Sequence, residues 1–207
     1  MCGRFALSAK TKDIEKLIPG IKISIEPGVR NNIAPTQNIS AVLNDGNREL
    51  SSVRWGLIPF WSKDMAIGAK LINARAETIA EKPSFRDSFR KRRCAIIASG
   101  FYEWKKEEGL SRKTPYFIKM KSGEPFAFAG LWDTWKSGQD STLISATIIT
   151  TEPNELIASI HNRMPVILNE ESLDLWLGIG ENDKTKLFSC ISSYPADLME
   201  AYPANPF

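Results

Sequence analysis

Short blocks of β-branched and aromatic residues, closed by glycine, serine and aspartate, recur along this chain and read as strands. Residues 94–104, 115–120, 126–131 and 143–150 are such blocks. Residues 39–44, then Asp45-Gly46, then 50–57 read as a β-hairpin, since Asp-Gly supplies the positive φ that a tight turn needs. Helical spacing is scarcer. It predicts a short helix over 11–18, ended by Pro19-Gly20, and another over 83–92 with Phe85 and Phe89 one turn apart on its apolar face. Residues 153–160, 170–177 and 184–191 read as further helices, 70–75 as extended, and 165–168 as a strand. No repeat, linker or low-complexity tract divides the sequence. The pattern predicts one α+β domain over 1–207, with a mainly antiparallel β core and peripheral helices.

Composition changes this picture little. The 207 residues, 43% hydrophobic and 25% charged, suit a globular protein large enough to dispense with metal or disulfide staples. No apolar run approaches a membrane span, and the start lacks the apolar core of a signal peptide, so a cytoplasmic protein is expected. Three cysteines, Cys2, Cys94 and Cys190, without Cys-x-x-Cys spacing, argue against a disulfide framework or zinc ribbon. Cys94 and Cys190 fall in apolar patterns and read as core residues. The net charge of +3 is concentrated: Arg86, Arg90, Lys91, Arg92 and Arg93 outnumber Asp87 by four, which leaves the remaining positions at −1. This cluster reads equally as an electrostatic path for nucleic acid or as a solvated helix face.

Candidate chemistry begins at the N-terminus. Gly3 after Cys2 favours removal of Met1, which leaves a chain that starts with cysteine and a free α-amine. Roughly 15 to 30% of such an amine is neutral near pH 7.3, against roughly 0.1% of a lysine. An amine and a thiol on one carbon skeleton can capture an aldehyde twice, first as a Schiff base and then as a five-membered thiazolidine. Taken singly, Asn73 reads as a turn residue, Glu103 as a solvated strand residue and His161 as a helix-end cap. His161 is the single histidine, so any imidazole chemistry must use it.

Six ordered motifs tie these residues together: Met-Cys-Gly-Arg-Phe at 1–5, Asn-Ile-Ala-Pro-Thr-Gln at 32–37, Arg-Trp-Gly-Leu-Ile-Pro at 54–59, Asn-Ala-Arg-Ala-Glu-Thr at 73–78, Ser-Gly-Phe-Tyr-Glu-Trp-Lys at 99–105 and His-Asn-Arg-Met-Pro-Val-Ile-Leu at 161–168. In these the sequence resembles the SRAP (SOS-response-associated peptidase) family, whose members trap abasic sites in single-stranded DNA covalently. The resemblance implies a barrel-like core and a catalytic set of Cys2, Asn73, Glu103 and His161. Cys2 would attack the C1′ aldehyde of the ring-opened sugar and Asn73 would hold the sugar or the amine. Glu103, its carboxyl raised by enclosure, would shuttle protons with His161. It places Arg4, Arg75 and Arg163 on phosphates flanking the lesion, Phe60 and Trp61 as an aromatic wedge, and Pro35 beside the DNA path. It also implies autoproteolytic loss of Met1, a weak lyase activity, no metal or other cofactor, and a monomer acting on single-stranded DNA.

Two departures from the family pattern stand out. Arg30-Asn31-Asn32 replaces the usual Arg-Tyr-Asn, and the chain ends at Phe207, soon after Ala201-Tyr202-Pro203, where the family continues a strand; loss of that strand is expected. Two other function classes fit parts of the sequence. An N-terminal-nucleophile amidohydrolase of the glutamine amidotransferase kind shares the Met-Cys-Gly start, and a non-covalent single-stranded nucleic-acid binding module would use the arginines and aromatics alone.

Overall fold

The β-branched blocks do form strands, and their pairing order builds two sheets. The computed structural model describes residues 2–109, 111–137 and 141–204. β1 (Arg4–Leu7) is followed by α1 (Thr11–Leu17), β2 (Arg30–Ile33), the hairpin of β3 (Asn38–Leu43) and β4 (Leu50–Trp55), and the short β5 (Asn73–Arg75). α2 (Arg86–Lys91) leads into β6 (Arg93–Ala98), β7 (Gly100–Lys105), β8 (Thr114–Met120), β9 (Phe126–Ser137) and β10 (Ser141–Thr151). α3 (Glu155–Ala158), β11 (Met164–Pro165), β12 (Ile167–Leu168), α4 (Glu170–Leu177), α5 (Lys184–Ser189) and β13 (Met199–Pro203) complete the described chain.

β10 pairs with β4 in parallel and with β9 antiparallel, and β9, β6, β3 and β4 continue antiparallel around the ring. Five strands thus close a barrel, and the short β5 and β11 pair onto β10 and β12 onto β9. A second antiparallel sheet, in the order β13-β8-β7-β1-β2, covers it. The contact between them is aromatic: Phe5 of β1 meets Trp55 at 5.1 Å and Phe128 at 5.8 Å, both edge-on. The fold is the expected α+β domain with helices outside the barrel. Among the described residues no helix is long and apolar enough to cross a membrane.

Four expectations need correction. Residues 94–104 are two strands, since the chain leaves the barrel at Ser99 and enters the second sheet. The Ser99 N–H donates to Ala6 O at 2.8 Å, its hydroxyl accepts from Ser8 N–H at 2.9 Å, and a Cβ at Gly100 would strike the Phe117 ring. Residues 165–168 likewise split between β11 and β12, which pair with different strands. The last strand is present, because β13 pairs residue by residue with β8 from Met199 to Pro203.

The fourth concerns the basic cluster, which divides. Arg86, Arg90 and Lys91 are exposed, but Arg93 is 1% exposed and donates to the carbonyls of Phe89, Arg90, Trp176 and Gly178. Those carbonyls are the orphan acceptors at the ends of α2 and α4, so one guanidinium closes two helices. Arg92 turns to Asp133, with Nε 3.1 Å from Oδ1. Neither residue belongs to a solvated face. Cys94 and Cys190 are buried as expected.

Candidate functional site

β10 is the strand along which the site is assembled. Its residues Ser145 and Ala146 lie beside Arg54 and Trp55 of β4, and three residues further on Ile148 to Thr150 lie beside Asn73 to Arg75 of β5. The chain between β4 and β5 is forced outward at Gly56, whose φ of 117° suits glycine and whose missing Cβ lets it press against the Gly68 backbone. Asn73 therefore enters the sheet pointing to the N-terminal segment. Its Nδ2 donates to Cys2 O at 2.8 Å.

Cys2 sits directly before β1, which runs antiparallel to β7 with Arg4 opposite Tyr102. That register brings Glu103 to the same place. Glu103 is 2% exposed, and its carboxylate acts on Cys2 through space. The Cys2 side chain is fully buried, with Sγ 3.8 Å from Arg4 O. Burial first, and the Glu103 charge second, push the thiol well above its ordinary range, so the resting group is a neutral S–H.

His161 arrives from the end of α3, where its N–H donates to Ile157 O at 2.8 Å. The ring is held from behind by residue 163, whose N–H lies 3.1 Å and whose carbonyl oxygen lies 3.3 Å from Nδ1. Nε2 stands 4.0 Å from Glu103 Oε2. Cys2, Asn73, Glu103 and His161, four residues from distant parts of the chain, thus form one cluster.

The residues expected on DNA are placed around it in different ways. Arg75 is exposed, and Arg4 donates to Asn32 Oδ1 at 2.9 Å. Arg163 is engaged more fully, with a two-pronged pair to Glu77 at 2.6 and 3.0 Å and a bond to Thr150 O at 2.6 Å. Phe60 and Trp61 protrude, 58% and 48% exposed, on the loop after Pro59. Pro35 is half-buried, next to Thr36, whose N–H donates to Trp55 O. Met1 lies outside the described residues.

Sequence reasoning missed the groups that hold these residues. Asp133 of β9 and Ser145 of β10 are cross-strand neighbours, and both grip the aromatic loop: Asp133 Oδ2 accepts from Phe60 N–H at 3.0 Å and Ser145 Oγ from Ile58 N–H at 2.8 Å. Trp135 Nε1 adds a bond to Ser62 O at 2.7 Å. A lone carboxylate within Leu-Trp-Asp-Thr-Trp was the available signal for Asp133, and the motif Asn-Ala-Arg-Ala-Glu was the signal for Glu77.

Comparison with known proteins identifies the family. The family model described as SOS response associated peptidase (SRAP) matches residues 1–206. The chain belongs to the SRAP family. Among SRAP relatives, the abasic site processing protein YoqW of Bacillus subtilis is 47% identical, covering 99% of this chain and 92% of its own. The abasic site processing protein HMCES of Rattus norvegicus is 32% identical over 79% of this chain and 54% of its own. The SRAP fold is also that of a crystal structure of a Bacteroides thetaiotaomicron protein, 28% identical, with a TM-score of 0.87 over 99% of this chain and 92% of that one.

Proposed function

We propose that this protein senses abasic sites in single-stranded DNA and binds them covalently through Cys2 once Met1 has been removed. The observation that carries this reading is the bond from Asn73 to the Cys2 carbonyl, which holds residue 2, and so the α-amine of a mature N-terminus, inside a cluster with Glu103 and His161. The chemistry is balanced by proton transfers alone. The amine nitrogen attacks the C1′ aldehyde, the resulting hydroxyl departs as water, and an imine remains. The Cys2 sulfur then adds to the imine carbon while its proton ends on nitrogen, closing a thiazolidine with one water released in total. Glu103 first passes the proton lost by nitrogen to the departing hydroxyl of the carbinolamine and then carries the sulfur proton to the thiazolidine nitrogen, with His161 beside it as the second relay.

The resting thiol supports this order of events. Burial and then the Glu103 charge favour the Cys2 thiol over the thiolate, which accords with a sulfur that acts after the amine has formed the imine. The exposed Phe60 and Trp61 stack on bases beside the lesion, and Arg4 and Arg75 meet phosphates. All of these groups come from one chain, so a monomer suffices. Release of the Schiff base before the sulfur closes it would give a weak lyase activity, and loss of Met1 is the peptidase step. A cytoplasmic setting, with access to chromosomal DNA, accords with these roles.

Intact-mass measurement tests the reading: the purified protein loses Met1 and then gains the mass of an abasic oligonucleotide less one water. A mature protein that forms no denaturant-resistant adduct, or a Cys2→Ala variant that still forms a stable one, would refute it.

A further inference from the structure

We infer that Glu77 is a positioning residue, which through Arg163 holds the His161 ring with Nε2 turned to Glu103. Both the N–H and the carbonyl oxygen of Arg163 lie within hydrogen-bond distance of Nδ1, at 3.1 and 3.3 Å, so the position of residue 163 bears directly on the ring. Residue 163 lies in the short connection between α3 and β11 and has no sheet partner of its own. Its side chain supplies the missing anchorage. The guanidinium fork is gripped by both oxygens of Glu77, just after β5, and by Thr150 O of β10. Asn73 rides on the same β5 and pairs with the same β10 two residues earlier. The Glu77–Arg163 pair therefore ties the His161 segment to the strand pair that carries Asn73, fixing the two halves of the cluster to one frame. A bidentate arginine–carboxylate pair suits this task because it fixes orientation as well as distance. The carboxyl of Glu77 is held below its usual range chiefly by that bond, so the brace is formed at neutral pH.

Arg163 thus has a positioning task beside the phosphate contact that the family resemblance implies for it. The activity part of the inference rests on the covalent function proposed above; the orientation part stands without it.

His161 is the single histidine of the chain, so nitrogen-15 NMR of the imidazole reports on this ring alone. In the full-length mature protein at pH 8 the spectrum should show one dominant tautomeric form, as a ring held in one orientation requires. In Glu77→Gln, which keeps the size of the side chain, and in Arg163→Lys, which keeps its charge, that form should give way to a mixture of tautomers. The rate of adduct formation with an abasic oligonucleotide should fall about 10- to 100-fold, as expected when a proton-transfer group is displaced slightly. In Glu77→Gln, affinity for the same oligonucleotide without the lesion should stay within about twofold. Asp174→Asn, which removes the surface pair between Arg48 and Asp174, should leave both readouts as in the parent.

An unchanged His161 spectrum in Glu77→Gln overturns the inference. So does an unchanged adduct rate beside an active parent, and so does tighter binding of the intact oligonucleotide at an unchanged rate, which would make Glu77 a mere competitor of phosphate for Arg163. If the parent itself forms no adduct, the covalent function fails, and the spectrum still decides whether Glu77 orients His161.

Discussion

The cluster around Cys2 and the loop bearing Phe60 and Trp61 are built on opposite plans. In the cluster the reactive side chains are buried or half-buried and tied down: Asn73 holds the Cys2 backbone, and residue 163 holds the His161 ring. In the loop the aromatic side chains stand in solvent while only the root is tied, by Asp133, Ser145 and Trp135. The difference suits what the proposed function asks of each. Proton transfer between defined atoms tolerates little displacement, so it calls for anchored side chains. Stacking on a base is tolerant of sequence and angle, so it calls for an exposed ring at a fixed place.

If the contrast is sound, substitutions in the two regions should damage different quantities. The largest effect is expected from Cys2→Ala, with complete loss of the denaturant-resistant adduct on a gel and unchanged binding of intact single-stranded DNA. Glu103→Gln should slow adduct formation by about 10²- to 10⁴-fold, measured by single-turnover kinetics, again without loss of binding. Phe60→Ala or Trp61→Ala should do the reverse. Each is expected to weaken binding by about 1 to 3 kcal/mol, measured by fluorescence anisotropy, while the rate within the bound complex stays near that of the parent. A loop variant that slowed the bound-state rate as strongly as Glu103→Gln would break the comparison.

The two supporting carboxylates sharpen it by their pH dependence, the smallest effect. Glu77 is held below the usual carboxylate range by Arg163, so its stabilisation is complete above about pH 5 and is lost as the pH falls through its depressed value. Asp133 is held above the range by burial, which outweighs its bonds to Phe60 and Thr134 and the Arg92 charge. Its stabilisation is therefore present at acid pH and lost as the pH rises through its elevated value. Thermal melts across the acid range should show the advantage of the parent over Glu77→Gln narrowing on acidification and its advantage over Asp133→Asn widening.

Much of the fold was legible where a local signal sufficed. Asp45-Gly46 marked the hairpin of β3 and β4, and Phe85 with Phe89 marked the buried face of α2. What could not be read was decided by distant partners. The break at Ser99 is fixed by Ala6, Ser8 and the Phe117 ring, and β1 and β2 are four residues each, too short for a periodic pattern. The basic cluster misled for the same reason: five cations in eight residues look alike in sequence, yet Arg93 and Arg92 turn inward to carbonyls and to Asp133 that lie far along the chain. The reactive residues were legible as motifs. Their supports, Glu77 and Asp133, were not, because a carboxylate's partner is a matter of folding.

The run of β10 from Ser145 to Ile148 has one more consequence. Ser145 anchors the root of the aromatic loop and Ile148 sits beside Asn73, so the two lie three residues apart on one strand, about 10 Å at the rise of extended backbone. A rigid strand of this kind is a ruler. On the proposed function the protein would not inspect the identity of any base; it would measure a fixed interval from a stacked base to the place where a sugar carbon must be reactive.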